Sequence, residues 1–322
     1  MKTRMLGDVA VSEIGMGCMA FSHGYGKIPP EDYSIEAIRG AYRHGCTFFD
    51  TAEIYSPGLS GIGHNERIVG RALADVRDDV VIGTKLFLGW SEVGRSGSVY
   101  DSIRRHLEDS LDRLRTDWAD IYYLHRTGGT RLEDVAAAMG RLIDEGLIRG
   151  WGLSQVDVDE IDRAQRVCPL AAVQNIYSMV ERDVEQAVIP YCEAHGIGLV
   201  AFSPIASGLL SGKVTPSTRF ERYDDVRNWV PQLSRENIRG NQPIVDLLAR
   251  FAERKGATSA QISLAWMLHK HRCVVPIPGS KNKGRIIENL DAANVDLTDE
   301  EFRELEDELD RCQVYGYRGF TR

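Results

Sequence analysis

The chain has 322 residues, 43% hydrophobic and 27% charged, and a formal net charge of −8. That apolar share supports a sizeable core and argues against disorder, while the acidic excess lacks the clustered basic face of a nucleic-acid binder. No run approaches the roughly 18 apolar residues of a membrane span, and residues 1–13 lack the apolar core of a secretion signal. A soluble, cytoplasmic protein is expected.

In chain order, residues 4–12 resemble a short hairpin turning at Gly7-Asp8. Strand and helix patterns then alternate. Short β-prone runs fall at 14–16, 47–49, 80–83, 121–124, 148–152, 172–174, 198–202 and 273–276, and helical spacing marks 33–44, 100–114, 132–146, 157–167 and 184–195. Eight strands alternating with helices over this length predict an α/β fold of the (β/α)8 TIM-barrel type, rather than a doubly wound sheet, as one domain over residues 1–322. The polar, Gly/Pro-punctuated stretch 207–242 follows the seventh strand, and the tail 297–322 holds an acidic helix at 299–311 before an aromatic, Gly-rich end. Long loops after strands form the active-site face of a barrel, so both are expected covers.

Two motifs are set aside. Gly15-Met16-Gly17-Cys18-Met19-Ala20 fits the dinucleotide-binding G-x-G-x-x-A, but that motif needs a helix directly after it, and the following residues 21–30 cannot start one. Its glycines are read as a close approach to ligand or a tight turn. Residues Ser207–Val214 come near a P-loop, with the first glycine displaced and Val214 in place of the magnesium-binding hydroxyl. Six dispersed cysteines form no C-x-x-C pair and are expected as reduced thiols. His269 and His271 diverge on either a strand or a helix, so no metal site is expected there.

Four polar residues end three successive predicted strands: Asp50 and Tyr55 after the second, Lys85 after the third and His125 after the fourth. In a parallel barrel these ends share one rim. A free tyrosine titrates near 10, and lowering it to roughly 7–8 takes about 3–4 kcal/mol. One ammonium at about 4 Å in an effective dielectric near 20 supplies on the order of 4 kcal/mol. Lys85 therefore suffices to acidify Tyr55, with Asp50 keeping the lysine charged and His125 orienting a substrate oxygen or relaying the proton. None of the four is a metal cage or an obvious nucleophile, so a cofactor must bring the hard step. A hydrolase built on Asp50 with Glu53 or His125 would leave Tyr55 and Lys85 without a part.

Ordered motifs run nearly end to end: Phe48-Phe49-Asp50-Thr51-Ala52-Glu53-Ile54-Tyr55, Gly83-Thr84-Lys85, Asp120–Arg126, Gly152-Leu153-Ser154, Gln174–Ser178, Phe202–Lys213 and Pro276–Lys281 followed by Glu288-Asn289. On these the chain resembles the aldo-keto reductase superfamily, in particular the group that includes pyridoxal and perakine reductases. The resemblance implies a metal-free, NADPH-dependent reduction of a small-molecule carbonyl, an aldehyde or ketone, with hydride passing directly from nicotinamide and Tyr55 as general acid. It implies that Asp50, Lys85 and His125 complete a tetrad, that Ser154, Gln155 and Gln174 hold the carboxamide, and that Phe202 stacks on the ring. The Ser203–Lys213 loop, with Ile205, Ser207 and Gly208, would cover the pyrophosphate, beside Gly17 and Gly279. Ser280 would meet the 2′-phosphate with Lys281 or Arg285 as its main cation, and Glu288 and Asn289 the adenine. A non-catalytic NADP-binding regulatory subunit on the same barrel is the alternative. Trp90, Tyr177, Trp229 and the C-terminal aromatics are candidate pocket walls for an aryl, pyridoxal-like or terpenoid aldehyde. No heptad or apolar stripe fixes an oligomeric state.

Overall fold

The computed structural model describes residues 1–58, 61–89, 98–128, 130–220 and 225–318. Strands β1 (Thr3–Leu6) and β2 (Val9–Ser12) form the expected antiparallel hairpin. Eight parallel strands follow in sequence order: β3 (Met16–Gly17), β4 (Phe48–Asp50), β5 (Val81–Leu86), β6 (Ala119–Leu124), β7 (Ile148–Ser154), β8 (Ala172–Ile176), β9 (Gly198–Phe202) and β10 (Val274–Pro276). A parallel bridge between Gly17 and Gly279, with the Gly15 N–H donating to the Pro276 carbonyl at 2.9 Å, joins the first barrel strand to the last. The TIM barrel expected from the sequence is present.

Helices between the strands pack on its outside: α1 (Glu31–Arg43), α2 (His64–Leu73), α3 (Val99–Leu114), α4 (Leu132–Asp144), α5 (Val158–Gln165) and α6 (Val188–His195). After β9 come α7 (Arg235–Gly240), α8 (Gln242–Lys255) and α9 (Ser259–Lys270), and after β10 come α10 (Lys283–Leu290) and the acidic α11 (Asp299–Asp310). Capping fixes several starts: Asp157, Thr258 and Thr298 each close a reciprocal capping box. The residues after β3 form only a 3-10 turn at Met19–Phe21 before α1. No helix therefore stands where a Rossmann motif would need one.

Strand alternation sorts the side chains into two layers. Phe48, Val81, Ile121, Tyr123, Ala172, Val200 and Val275 pack inside the barrel, and Leu6, Val9 and Val11 of the hairpin belong to the same cluster. The hairpin thus plugs the end of the barrel opposite the strand C-termini. Glycines make room for this interior. A Cβ at Gly152 would lie 2.6 Å from the Tyr123 ring and 2.5 Å from the Ala172 carbonyl oxygen, and one at Gly17 would lie 2.9 Å from the Ile277 oxygen. Close strand packing, not a turn, accounts for Gly17.

Several expectations change. Tyr177 is fully buried, with its hydroxyl donating to Glu185 at 2.6 Å and its ring 5.7 Å from Trp266. It belongs to the outer core and not to a pocket wall, because it sits just past β8 on the helix-facing side. Trp229 is 79% exposed, Tyr315 packs on Gly240, and Trp90 and Phe320 lie outside the described residues. The six cysteines are free thiols, four of them buried. His269 pairs with Asp299 and stacks on Phe302, while His271 faces Glu193. Among the described residues no helix is long and apolar enough to cross a membrane.

Because the Gly152 clash is with backbone, Gly152→Ala should destabilise the fold by about 1–3 kcal/mol through overpacking. A thermal unfolding midpoint equal to that of the wild type would contradict the packing described for Tyr123.

Candidate active site and cofactor cleft

Every second residue of a barrel strand points inward, and this periodicity carries the interior up to the mouth. Phe48 is followed by Asp50, Val81 and Gly83 by Lys85, Tyr123 by His125, Gly152 by Ser154, Ala172 by Gln174 and Val200 by Phe202. The register places Lys85 beside Tyr123, and Ser154 beside Gln174. Lys85 thus lies within β5 rather than beyond it.

Lys85 is fully buried and Asp50 is 3% exposed. The Lys85 ammonium donates to Asp50 Oδ1 at 2.5 Å and to the Thr51 carbonyl at 2.6 Å, and Gln174 Nε2 donates to the other Asp50 oxygen at 2.8 Å. Burial alone would drive the amine toward neutrality, but Asp50 and then Tyr55 outweigh it and raise Lys85 above the usual lysine value. Burial pushes the Asp50 carboxyl up, opposed by Lys85 and Gln174.

The Lys85 nitrogen stands 5.2 Å from the centroid of the half-buried Tyr55 ring, which meets the His125 ring edge-on at 5.8 Å. Tyr55 is not acidified as the sequence arithmetic expected. Burial raises its phenol, against the Lys85 charge, and Asp50 raises it further. Burial of the phenol outweighs the Lys85 charge, and Asp50 offsets only part of that charge at the ring. His125 is held well below the usual histidine value by burial and then by the Lys85 and Arg126 charges, so it is neutral, and its buried Nδ1 has no hydrogen-bond partner among the described residues.

The loop carrying Tyr55 is pinned from both sides. Glu53, 3% exposed, accepts the Phe87 N–H at 2.6 Å and pairs with His106 of α3 at 2.8 Å, while its carbonyl accepts the Gly63 N–H. The Asn65 N–H donates to the Tyr55 carbonyl, and the Asn65 side chain bridges Thr51, Cys18 and Ser22. Buried Glu66 ties β5 to α3 through Thr84 and Arg113, each at 2.6 Å.

Beside this mouth a cleft of about 340 Å³ is lined by Ser203, Ile205, Ser207, Gly208 and Lys213, by Gly279, Ser280 and Lys281, and by Arg285, Glu288 and Asn289. Ser203, Ala206, Ser207 and Gly208 all have left-handed backbones, with φ of 53°, 46°, 54° and 101°. Three of the four are not glycine, and such strain in a cleft marks ligand binding better than packing; turns of this kind gather N–H groups into anion cradles. Ser154, Gln155, Gln174 and the partly buried Phe202 border the mouth itself. Gln155 is left-handed at φ 56°, and its amide oxygen accepts the Ile176 N–H at 3.0 Å. That bond takes one of the two lone pairs of the oxygen and leaves the amide N–H donors for a ligand. Gln174, with its nitrogen on Asp50, keeps its oxygen as the acceptor.

The two candidate phosphate cations differ. The Lys281 ammonium donates to the Tyr25 carbonyl at 2.5 Å and to the Lys27 carbonyl at 2.6 Å. The Arg285 backbone is held by the Asn282 cap at the start of α10, and its guanidinium forms no ion pair among the described residues. Lys213 and Glu288 face each other at 3.4 Å. Sequence reasoning missed Tyr25, Phe220 and Arg227 in the cleft wall, where Arg227 pairs with Asp225 and lies over both rings. The only sequence signal for Phe220 and Arg227 was the polar stretch after β9, and Tyr25 lies in the irregular loop after β3. Arg126, at the mouth, was also missed. The donor and acceptor set fits a dinucleotide: strained N–H-bearing turns, one uncommitted guanidinium, and amide groups beside the reactive mouth.

A barrel with an ion-paired lysine against a tyrosine at its mouth and an anion cradle alongside defines an NAD(P)-dependent oxidoreductase. The chain belongs to the aldo/keto reductase family, whose sequence model matches residues 13–310. It is 32% identical over 321 residues to the probable aldo-keto reductase 1 of Glycine max, covering 97% of this chain and 89% of that protein. It is also similar to a glycerol dehydrogenase from Gluconobacter oxydans, at 30% identity and a TM-score of 0.83 over 96% of this chain and 95% of that one. A Klebsiella pneumoniae aldo/keto reductase solved with NADP and acetate is 27% identical, with a TM-score of 0.74 over 98% and 100% of the two chains.

Removing one member of a buried pair strands the other, at a cost of about 3–5 kcal/mol. Asp50→Asn should therefore lower stability in a denaturant titration, and the double variant Asp50→Asn/Lys85→Met should regain part of that loss. Additive losses would contradict the pairing.

Proposed function

We propose that this protein reduces an aldehyde or ketone to the alcohol with NADPH, and that Tyr55 delivers the proton. The observation that carries this reading is the Lys85–Asp50 pair set 5.2 Å from the Tyr55 ring, with neutral His125 on the ring's other flank. The nicotinamide supplies the hydride to the carbonyl carbon. Tyr55 gives its proton to the carbonyl oxygen as negative charge develops there, and Lys85 stabilises the phenolate left behind. A phenol kept protonated through neutral pH is the right form for that step, and transfer to an alkoxide, a far stronger base, is downhill.

Each remaining residue orients a reactant or holds a charge. His125 offers a ring nitrogen to the substrate oxygen. Ser154 and the Gln155 amide group donate to the nicotinamide carboxamide, Gln174 accepts from it, and Phe202 packs against the ring. The Ser203–Gly208 turns and Lys213 hold the pyrophosphate, with Gly17 and Gly279 keeping the barrel wall low beside it. Ser280 and Arg285 meet the 2′-phosphate, and Glu288 and Asn289 the adenine. Arg285 takes precedence over Lys281 because the Lys281 ammonium is committed to two backbone carbonyls. A Klebsiella pneumoniae relative solved with NADP supports NADP as the cofactor.

Tyr55→Phe should lower kcat by about 10²–10⁴ while leaving NADPH affinity, read by nicotinamide fluorescence, unchanged. A near-wild-type rate would sink the proton-donor role, and an absence of NADPH binding would sink the reductase reading. Arg285→Ala should weaken NADPH about tenfold or more through loss of charge-assisted bonds and spare NADH. Equal weakening of both in a fluorescence titration would contradict the 2′-phosphate assignment.

A further inference from the structure

Arg126 follows His125 at the end of β6, and its guanidinium is drawn across the mouth. Nη1 donates to the His125 carbonyl at 2.8 Å and reaches the inward-facing Ser154 hydroxyl at 3.4 Å. Its other edge has no hydrogen-bond or carboxylate partner among the described residues. Burial lowers its proton affinity, and its charge favours the phenolate form of Tyr55. The Asp50 carboxylate at the mouth is matched by Lys85, and Glu53 is matched by the Phe87 N–H and His106. In a chain of net charge −8, Arg126 therefore stands at the substrate entrance with no carboxylate partner among the described residues.

We propose that Arg126 anchors the substrate, and that the site prefers aldehydes or ketones carrying a carboxylate. The inference rests on the Tyr55 reductase reading and deepens it. Arg126 is exposed at the entrance, and the open edge of its guanidinium matches the two oxygens of a carboxylate in a fork. One cation matches one charge. Ile54 and Phe87, 40% and 44% exposed, sit next to Tyr55 and two residues beyond Lys85, and the Phe87 N–H bond to Glu53 holds the two segments together. They offer apolar surface to the part of the substrate between carbonyl and carboxylate, which suits an aryl or short alkyl spacer.

The test is the ratio of kcat/KM for 4-formylbenzoate to that for its methyl ester, measured with NADPH. The wild type should favour the acid at least about tenfold, the worth of a charge-assisted pair. Arg126→Leu should bring the ratio close to one, and Arg126→Lys should restore part of it. A ratio near one in the wild type, or one that Arg126→Leu leaves unchanged, overturns the anchor while turnover of the ester keeps the reductase reading. No NADPH oxidation with either aldehyde overturns both.

Discussion

A primary amine with no exposed surface stands at the centre of this molecule, and a carboxylate 2.5 Å away keeps it charged. Neither member is tolerable alone: an isolated buried ion costs several kcal/mol, which the pair offsets only with good geometry and further hydrogen bonds. Those bonds are present, from Lys85 to the Thr51 carbonyl and from Gln174 to Asp50. The pair thereby links β4, β5 and β8 and fixes the surface on which Tyr55 rests. Burial holds the Tyr55 phenol protonated against the Lys85 charge, so in the proposed reaction Lys85 receives the charge that proton transfer leaves rather than ionising the ring beforehand.

The rest of the barrel is arranged to present this pair. The hairpin closes the far end, glycines at 83 and 152 admit the Phe48 and Tyr123 rings, and polar residues stand at or near the inward ends of β4 to β8. Outside the wall, a second buried polar set runs from Glu53 and His106 to Thr84, Glu66 and Arg113. It holds the Tyr55 loop against α2 and α3 without touching the mouth. Burial raises Glu66 despite Arg113 beside it, which marks that contact as a structural clamp sealed from solvent.

The barrel was legible because parallel strands are buried on both faces and read as short apolar runs between amphipathic helices. Residues 198–202 matched to the residue. The meeting of Asp50, Tyr55, Lys85 and His125 was legible because strand ends in a barrel face one rim. The strength of Lys85 on Tyr55 was not legible, since it depends on how deeply the phenol is buried and how far Asp50 offsets the ammonium, a matter of ångströms. Nor was the choice between Lys281 and Arg285, which turns on Lys281 reaching back to the loop after β3. Tyr177 looked like a pocket wall because a sequence gives an aromatic at a strand end without saying which layer it joins. Arg126 passed unread for a related reason: only the fold shows a guanidinium turned over the mouth toward Ser154.

The pH dependence of kcat for aldehyde reduction tests the central claim most directly. In the proposed reaction the protonated phenol is the active form, and its titration is raised above the ordinary tyrosine value of about 10, so activity is expected below that raised value and is lost as pH rises through it. Neutral His125 adds no limb near its ordinary value of about 6.5. The account predicts a level profile across neutral pH with an alkaline fall only beyond about pH 10. A fall centred near pH 7–8, roughly where a bare ammonium would have set the phenol, would contradict it.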